Sequence, residues 1–212
     1  MPLSPLASGG NLLSPRRADL QSGMTAECAT GPGEKRLAVR PYPQELEEWC
    51  SFNNGRKVLL RPIKPDDESA HHEFFKKLDP VDIRFRFFLS VKDFDHEQLA
   101  RYTKIDYERE MAFIATAMED GMPETLGVVR AVNDAGNIAA DCSIIVRSDL
   151  KRQGLGYQLM DKIIRYAKGR GLKTLVAEIL SGNKPSLKLA QKFGFESNSP
   201  PYGGIVNVRL EL

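Results

Sequence analysis

Cysteine is scarce in this chain. Cys28, Cys50 and Cys142 are the three present in 212 residues, far apart and without a CxxC pair. Histidine is as rare, with three residues of which His71 and His72 are adjacent. The ligand spacing of a zinc site is therefore missing, and no metal is expected. The odd, scattered cysteines read as free thiols in a reducing cytosol. No run approaches the roughly eighteen apolar residues of a membrane-spanning helix. The opening stretch MPLSPLASGGNLLSPRRADLQSGM lacks the apolar centre of a secretory signal, and Arg16-Arg17 is followed by Ala18-Asp19. The expectation is a cytoplasmic protein with no membrane partner. An excess of one charge is also absent. The formal net charge is +2, and Arg16-Arg17 and Lys76-Lys77 are too short to make the basic face of a nucleic-acid binder.

What is present is ordinary for a globular domain: 42% hydrophobic and 27% charged residues. A core of that size needs no disulfide or metal to close it. Residues 1–40 are rich in Ser, Gly and Pro and carry no sustained period. Such a composition buries too little apolar surface to offset chain ordering, so residues 1–40 read as a flexible N-terminal tail and residues 41–212 as the domain.

Within the domain, Lys57 to Ile63 reads as a first strand, with Pro62 at its end. Pro65 opens a helix whose apolar stripe is Ala70, Phe74, Phe75 and Leu78, leaving His71 and His72 at the surface. Asp79-Pro80 stops it. Asp95 and Gln98 form a capping-box pattern, flanked by Phe94 and Leu99 at staple positions, for a helix running to about Tyr102. The Arg84-Phe85-Arg86-Phe87-Phe88 run between them reads as packing under a loop. Strands are expected over 111–118, 125–132 and 138–147, joined by turn-prone segments into a meander. Leu155, Leu159, Met160, Ile163, Ile164 and Ala167 mark a long helix ended by Gly169-Arg170-Gly171. Thr174 to Leu180 is a further strand, Asn183 and Pro185 open a short helix ending at Gly194, and 206–212 is a last strand. The order is β-α-α-β-β-β-α-β-α-β, an α/β (α+β) mixed sheet with helices on both faces and a parallel crossover between the fourth and fifth strands.

The segment that carries chemistry is Val146-Arg147-Ser148-Asp149-Leu150-Lys151-Arg152-Gln153-Gly154-Leu155-Gly156. A strand runs through a short loop into a helix that starts on two glycines. The free N–H groups and positive dipole end of such a helix attract phosphate, and glycine lets a diphosphate approach the backbone. By itself the pattern serves equally as a tight βα turn. The GxxxxGK[ST] spacing of a P-loop is missing, and GxGxxG is incomplete because Gly156 is followed by Tyr157-Gln158-Leu159.

Lys151 to Gly156 resembles the acyl-CoA pyrophosphate loop of the GNAT N-acetyltransferases, Q/R-x-x-G-x-G/A, with Lys151 departing from the first position. Asn183 and the run Leu189-Ala190-Gln191-Lys192-Phe193-Gly194-Phe195 are similar to that family's asparagine and closing helix. A narrower resemblance spans residues 42–196. Leu60-Arg61-Pro62-Ile63 with Pro65-Asp66-Asp67, Arg84 to Phe88, and Ile105 to Ala112 look like the GNAT domain of Pat-type bacterial protein lysine acetyltransferases. Their usual companions, an acyl-CoA synthetase-like or cyclic-nucleotide-binding domain, do not fit in 212 residues, so a stand-alone member is expected. The resemblance implies transfer of acetyl from acetyl-CoA to a primary amine through a tetrahedral intermediate. The acceptor it implies is a protein lysine, with an acyl-CoA synthetase among the candidate acceptors. The implied acetyl-CoA contacts are Ile144, Ile145 and Val146 for the pantetheine, the Lys151, Arg152, Gln153, Gly154, Leu155 and Gly156 loop for the diphosphate, and Asn183.

Two departures stand out. Asp141, in Ala140-Asp141-Cys142, occupies the place of the family's catalytic Glu, one methylene shorter. Ala190 stands where many members carry a Tyr acid. Asp141 is still the leading general base, since an ammonium must lose a proton before it attacks a thioester. Cys142 has no neighbouring His to activate it and reads as a buried structural residue. Tyr107, Glu108 and Glu110 read as a structural loop. A small-molecule amine acceptor and a non-catalytic acyl-CoA-binding regulatory module are the alternatives that these departures keep open. Deleting residues 1–40 is expected to leave the melting temperature and acetyl-CoA affinity nearly unchanged, as measured by thermal unfolding with and without acetyl-CoA.

Overall fold

The computed structural model describes residues 41–51, 55–88, 96–119, 121–197 and 202–212, all in a unit that begins at Val39. The expected tail and the Phe94-Asp95 cap lie outside the described residues. Seven strands form one sheet in chain order: β1 (Glu48–Ser51), β2 (Lys57–Pro62), β3 (Glu110–Glu119), β4 (Met122–Asn133), β5 (Ala139–Val146), β6 (Thr174–Leu180) and β7 (Ile205–Glu211). Neighbours are antiparallel except β5 and β6, which are parallel. The helices are α1 (Glu68–Lys76), α2 (Pro80–Phe87), α3 (His96–Thr103), α4 (Leu155–Gly169) and α5 (Lys184–Lys192).

Both faces of the sheet centre are covered. That explains why β3 and β4 read as near-continuous apolar runs rather than alternating ones. Leu155, Leu159 and Ile163 of α4 pack with Leu60, Phe113, Leu126 and Leu175 on one face. Phe74 and Phe75 of α1 and Ile83 of α2 pack with Ile63, Ala112, Ile114, Val128 and Ile145 on the other. Gly127 in β4 sets how closely α4 approaches. A Cβ there would stand 3.0 Å from Leu159 Cδ1 and 3.2 Å from the Ile145 carbonyl, so a larger residue would push the helix off the sheet.

Three expectations are corrected. A short edge strand, β1, precedes the strand read as first, paired Glu48↔Leu60 through Ser51↔Lys57. Its four residues carry too little periodicity to be seen in isolation. Residues 80–87 form a helix, where the expectation for Arg84 to Phe88 is packing under a loop. Asp79-Pro80 does end α1, but the same proline sits at the first position of α2, where its missing N–H costs nothing. His71 is buried, at 2% exposure, among the rings of Phe74, Phe75 and Tyr102. Its position between the stripe residues Ala70 and Phe74 faces inward because α3 packs over α1 and widens the buried face.

Beyond the apolar core, Arg147 ties the end of β5 to the β3–β4 hairpin. Its guanidinium, 8% exposed, donates to Glu119 at 2.9 Å, Glu124 at 2.7 Å and Asp149 at 2.8 Å. The acids are partly exposed, which places the network between surface and buried ion pairs. Replacing Arg147 by Met is expected to cost about 1–3 kcal/mol, measured by denaturant unfolding at neutral pH.

Candidate active site

The site begins where two strands part. The β5–β6 ladder joins Ala139, Ala140 and Asp141 to Thr174, Leu175 and Val176, and then ends. β5 continues with β4 as far as Val146, and β6 continues with β7 to Leu180. From Cys142 onward, the β6-facing edge of β5 therefore has no ladder partner. The result is a cleft whose wall is backbone N–H and C=O groups.

α4 starts at the mouth of this cleft. Val146 leads through Arg147 and a 3₁₀ turn, Ser148–Leu150, into a loop in which Arg152 (φ 64°) and Gly154 (φ 92°) are left-handed. Gly154 is the residue at which that conformation is cheapest. The first helical bonds are donated by Tyr157 and Gln158, both to the Gly154 carbonyl at 3.0 and 3.1 Å. The N–H groups of Leu155 and Gly156 precede the ladder. A Cβ on Gly156 would stand 3.6–4.0 Å from Leu189, Val146 and Ile144, so its bare backbone lies over the apolar edge of β5.

The eleven sequence-predicted residues fall into distinct positions. Ile144 and Val146 pack on the α4 side, whereas Ile145 turns into the α1–α2 core. Leu155 is a core side chain at 1% exposure, so its backbone alone is available. The Lys151 ammonium is engaged by Asp82 of α2, whose carboxylate also accepts from Ser148 Oγ at 2.5 Å. Arg152 is exposed, and Gln153 Nε2 donates weakly to the Asp149 carbonyl at 3.4 Å. Asn183 caps α5 by accepting from the Ser186 N–H at 3.2 Å.

Asp141 is on the other face of β5, with Ser143. The register sets Asp141 opposite Val132 and Ser143 opposite Arg130. Burial pushes the Asp141 carboxyl up to about 6; Arg86 pulls it back and Glu178 on β6 pushes it further up. Arg130 is buried, pairs with Glu110 and donates to the Tyr102 carbonyl at 2.6 Å. Tyr107 donates to the Ile63 carbonyl at 2.6 Å, a structural bond. Cys142 is buried on the α4 side with its thiol pushed up to about 12, chiefly by burial, which makes it a poor nucleophile. Arg86, Arg130, Tyr102 and Glu178 were not singled out as site residues by the sequence. A signal for Arg86 did exist, in the proline that starts α2. A larger cavity, about 680 Å³, is lined by Tyr42, Tyr107, Phe113, Tyr166 and Arg170. It touches neither β5 nor the start of α4, and its Phe113 belongs to the α4-side core, across the sheet from Asp141.

A mixed sheet that opens between two parallel strands beside a glycine-started helix defines an N-acyltransferase of the acyl-CoA-dependent class. The chain belongs to the acetyltransferase (GNAT) family, whose model matches residues 80–195, more than half of it. Three proteins illustrate the relationship. An acetyltransferase of Pseudomonas aeruginosa is 28% identical over 158 residues, 74% of this chain and 85% of that protein. An L-methionine sulfoximine/L-methionine sulfone acetyltransferase of the same species is 44% identical over 54 residues, 26% of this chain and 31% of that protein. The GNAT domain of S. lividans PAT shares the fold with a TM-score of 0.73 at 22% identity, covering 81% of this chain and 100% of that one. The chain is thus an acyltransferase, and the family uses acetyl-CoA as co-substrate. Among the described residues no helix is long and apolar enough to cross a membrane.

His71, on this same face, has Nδ1 buried with no hydrogen-bond partner, and burial holds its pKa down at about 3. The unfolded chain binds this proton near pH 6.5 and the folded chain does not. Stability is therefore lost as pH falls from about 6.5 toward 3, by as much as ~1.4 kcal/mol per pH unit for this one group. A His71→Phe variant is expected to lose less stability than the wild type over that window, measured by urea unfolding at pH 7.5, 6, 5 and 4.

Proposed function

We propose that the chain transfers acetyl from acetyl-CoA to a primary amine, in a catalytic domain spanning residues 41–212. The observation that carries this reading is the parting of β5 and β6 beside the glycine start of α4. Diphosphate would meet the N–H groups around residues 152–156, and pantetheine would lie along Ile144 to Val146, adding to the unpaired edge of β5 as a strand would. Lys151 would serve there only after leaving Asp82, so the backbone is the main diphosphate ligand. Asn183 supports the site by capping α5 and needs no direct contact to do so.

Acetyl-CoA supplies an activated thioester. The chain's residues do the rest. Asp141 takes one proton from the acceptor ammonium, the freed amine forms the C–N bond, and the C–S bond breaks as the tetrahedral intermediate collapses. The second ammonium proton passes to the departing thiolate, so the products are the amide, the CoA thiol and the proton on Asp141. A carboxyl titrating near 6 suits this task. It is ionised at neutral pH yet more basic than an ordinary aspartate. A backbone N–H on the free edge of β5 would stabilise the oxyanion.

Two acceptor classes fit a primary amine. The motif resemblance to Pat-type protein lysine acetyltransferases supports a protein lysine, an acyl-CoA synthetase included. The local identity to an acetyltransferase of L-methionine sulfoximine supports a small amine, and the charge pattern around Asp141 favours this second class.

In a thermal-shift titration, wild type is expected to gain about 2.7 kcal/mol at ~100 times the acetyl-CoA Kd. Gly154→Val should erase most of that gain, because a β-branched residue resists the left-handed conformation and blocks the approach. In steady-state kinetics, Asp141→Asn should lower kcat by about 10² to 10⁴ with acetyl-CoA binding retained. The wild-type rate should rise through about pH 6 and level off above it, since the base acts deprotonated. A kcat indifferent to Asp141→Asn removes Asp141 from the base role.

A further inference from the structure

Arg86 carries a charge that Asp141 offsets through space but that no described residue meets with a hydrogen bond or an ion pair. It sits in the last turn of α2 and, with His71, Tyr102, Arg130 and Ser143, lines a cavity of about 10 Å³, room for one water. The other guanidinium lining it, Arg130, is satisfied by Glu110 and the Tyr102 carbonyl. Arg86 makes neither a hydrogen bond nor an ion pair within the described residues. Its ring contact is with its own neighbour Phe87, 4.8 Å to the centroid. The residue as a whole is half-buried, with its charged end on the inner side. Burial pushes its pKa down, while Tyr102, Asp141 and Cys142 pull it back up. A cation held partly out of water without a partner is costly. The cost is removed if the anion arrives with the substrate.

We propose that Arg86 anchors a carboxylate of the acceptor, which makes the acceptor a short amino acid rather than a lysine within a protein. The inference rests on the acetyl-transfer reading above. Its geometry comes from the sheet. Ser143, which lines the cavity with Arg86, is two residues from Asp141 on the same face, so the two stand about 7 Å apart along β5. An amine that meets Asp141 would then direct a carboxylate one carbon away toward the Ser143 end of the face that Arg86 lines. The charge order matches a zwitterion: Asp141 and Glu178 are negative toward the ammonium, and Arg86 is positive toward the carboxylate. A peptide-borne lysine offers neutral amides instead and leaves Arg86 unpaired.

α2 is held where this requires. Asp82 binds Ser148 and Lys151 at one end of the helix, and Phe85 lies 3.8 Å from where a Cβ on Gly182 would stand, beyond β6. α2, and Arg86 with it, is thereby held against β5.

The test is steady-state acetyl transfer, read as CoA thiol release, with the common L-amino acids, their carboxamides and an end-capped lysine peptide as probes. Free acids should exceed their amides in kcat/KM by about 10- to 100-fold, mostly through KM, the range expected when one charge-assisted hydrogen-bonded pair is lost. Arg86→Gln should bring that ratio close to one, and Arg86→Lys should restore part of it, with melting temperatures confirming that both variants fold. If Arg86→Gln fails to fold, the acid-to-amide ratio of wild type decides alone. Equal use of amides or of the capped peptide, or a ratio indifferent to Arg86→Gln, overturns the assignment while leaving acetyl transfer standing. Transfer to no amine at all overturns the acetyl-transfer reading and the Arg86 assignment with it.

Discussion

The three-residue ladder between β5 and β6 is the constraint on which the rest depends. Were it longer, both edges of the cleft would be satisfied by each other and no backbone would face a ligand. Were it shorter, the two halves of the sheet would lose their common core, because Leu175 and Ile179 of β6 pack with Val129 and Ala131 of β4 under α4. The parallel direction follows from the α4 crossover. It brings the C-terminal end of β5 and the N-terminal end of α4 to the same rim, so the free edge and the free N–H groups occur together.

The two faces of β5 then do different work. On the α4 side, Ile144 and Val146 present an apolar strip beneath the bare backbone of Gly156. On the other side the sheet carries charge close to its core: Glu110 with Arg130, then Ser143, Asp141 and Glu178, with Arg86 above them. Partial burial couples these charges strongly. It raises Asp141 and lowers Arg86 at the same time, so the site holds a better base and a less stable cation than water would allow. The shorter reach of Asp141, relative to a glutamate at that place, is consistent with a small acceptor that penetrates to it.

Much of this was legible in the sequence. α4 and β6 were expected within a residue of their observed ends, because Leu155 to Ala167 keeps a clean helical period and Gly169-Arg170-Gly171 separates it from a β-branched run. The cap at Asn183 and the left-handed Gly154 follow from local backbone chemistry alone. β1 was invisible because four residues carry too little pattern, and α2 was missed because alternating Arg and Phe shows no helical period and read as packing under a loop.

The sequence by itself determined the family and the order of elements from β3 onward, with a loop that starts α4 on glycines, since those rest on periodicities and glycines that act over a few residues. It also determined that a carboxylate would lie on β5 opposite the apolar strip, because side chains alternate along a strand. Only the tertiary structure decided which groups meet that carboxylate. Arg86 is 55 positions before Asp141 in the chain, and Glu178 is 37 after it. No local pattern records that α2 folds over β5, nor that β6 returns beside it. The burial that raises Asp141, lowers Arg86 and strands His71 Nδ1 is a property of packed layers, and it exists only when the sheet and its helices have closed around those residues.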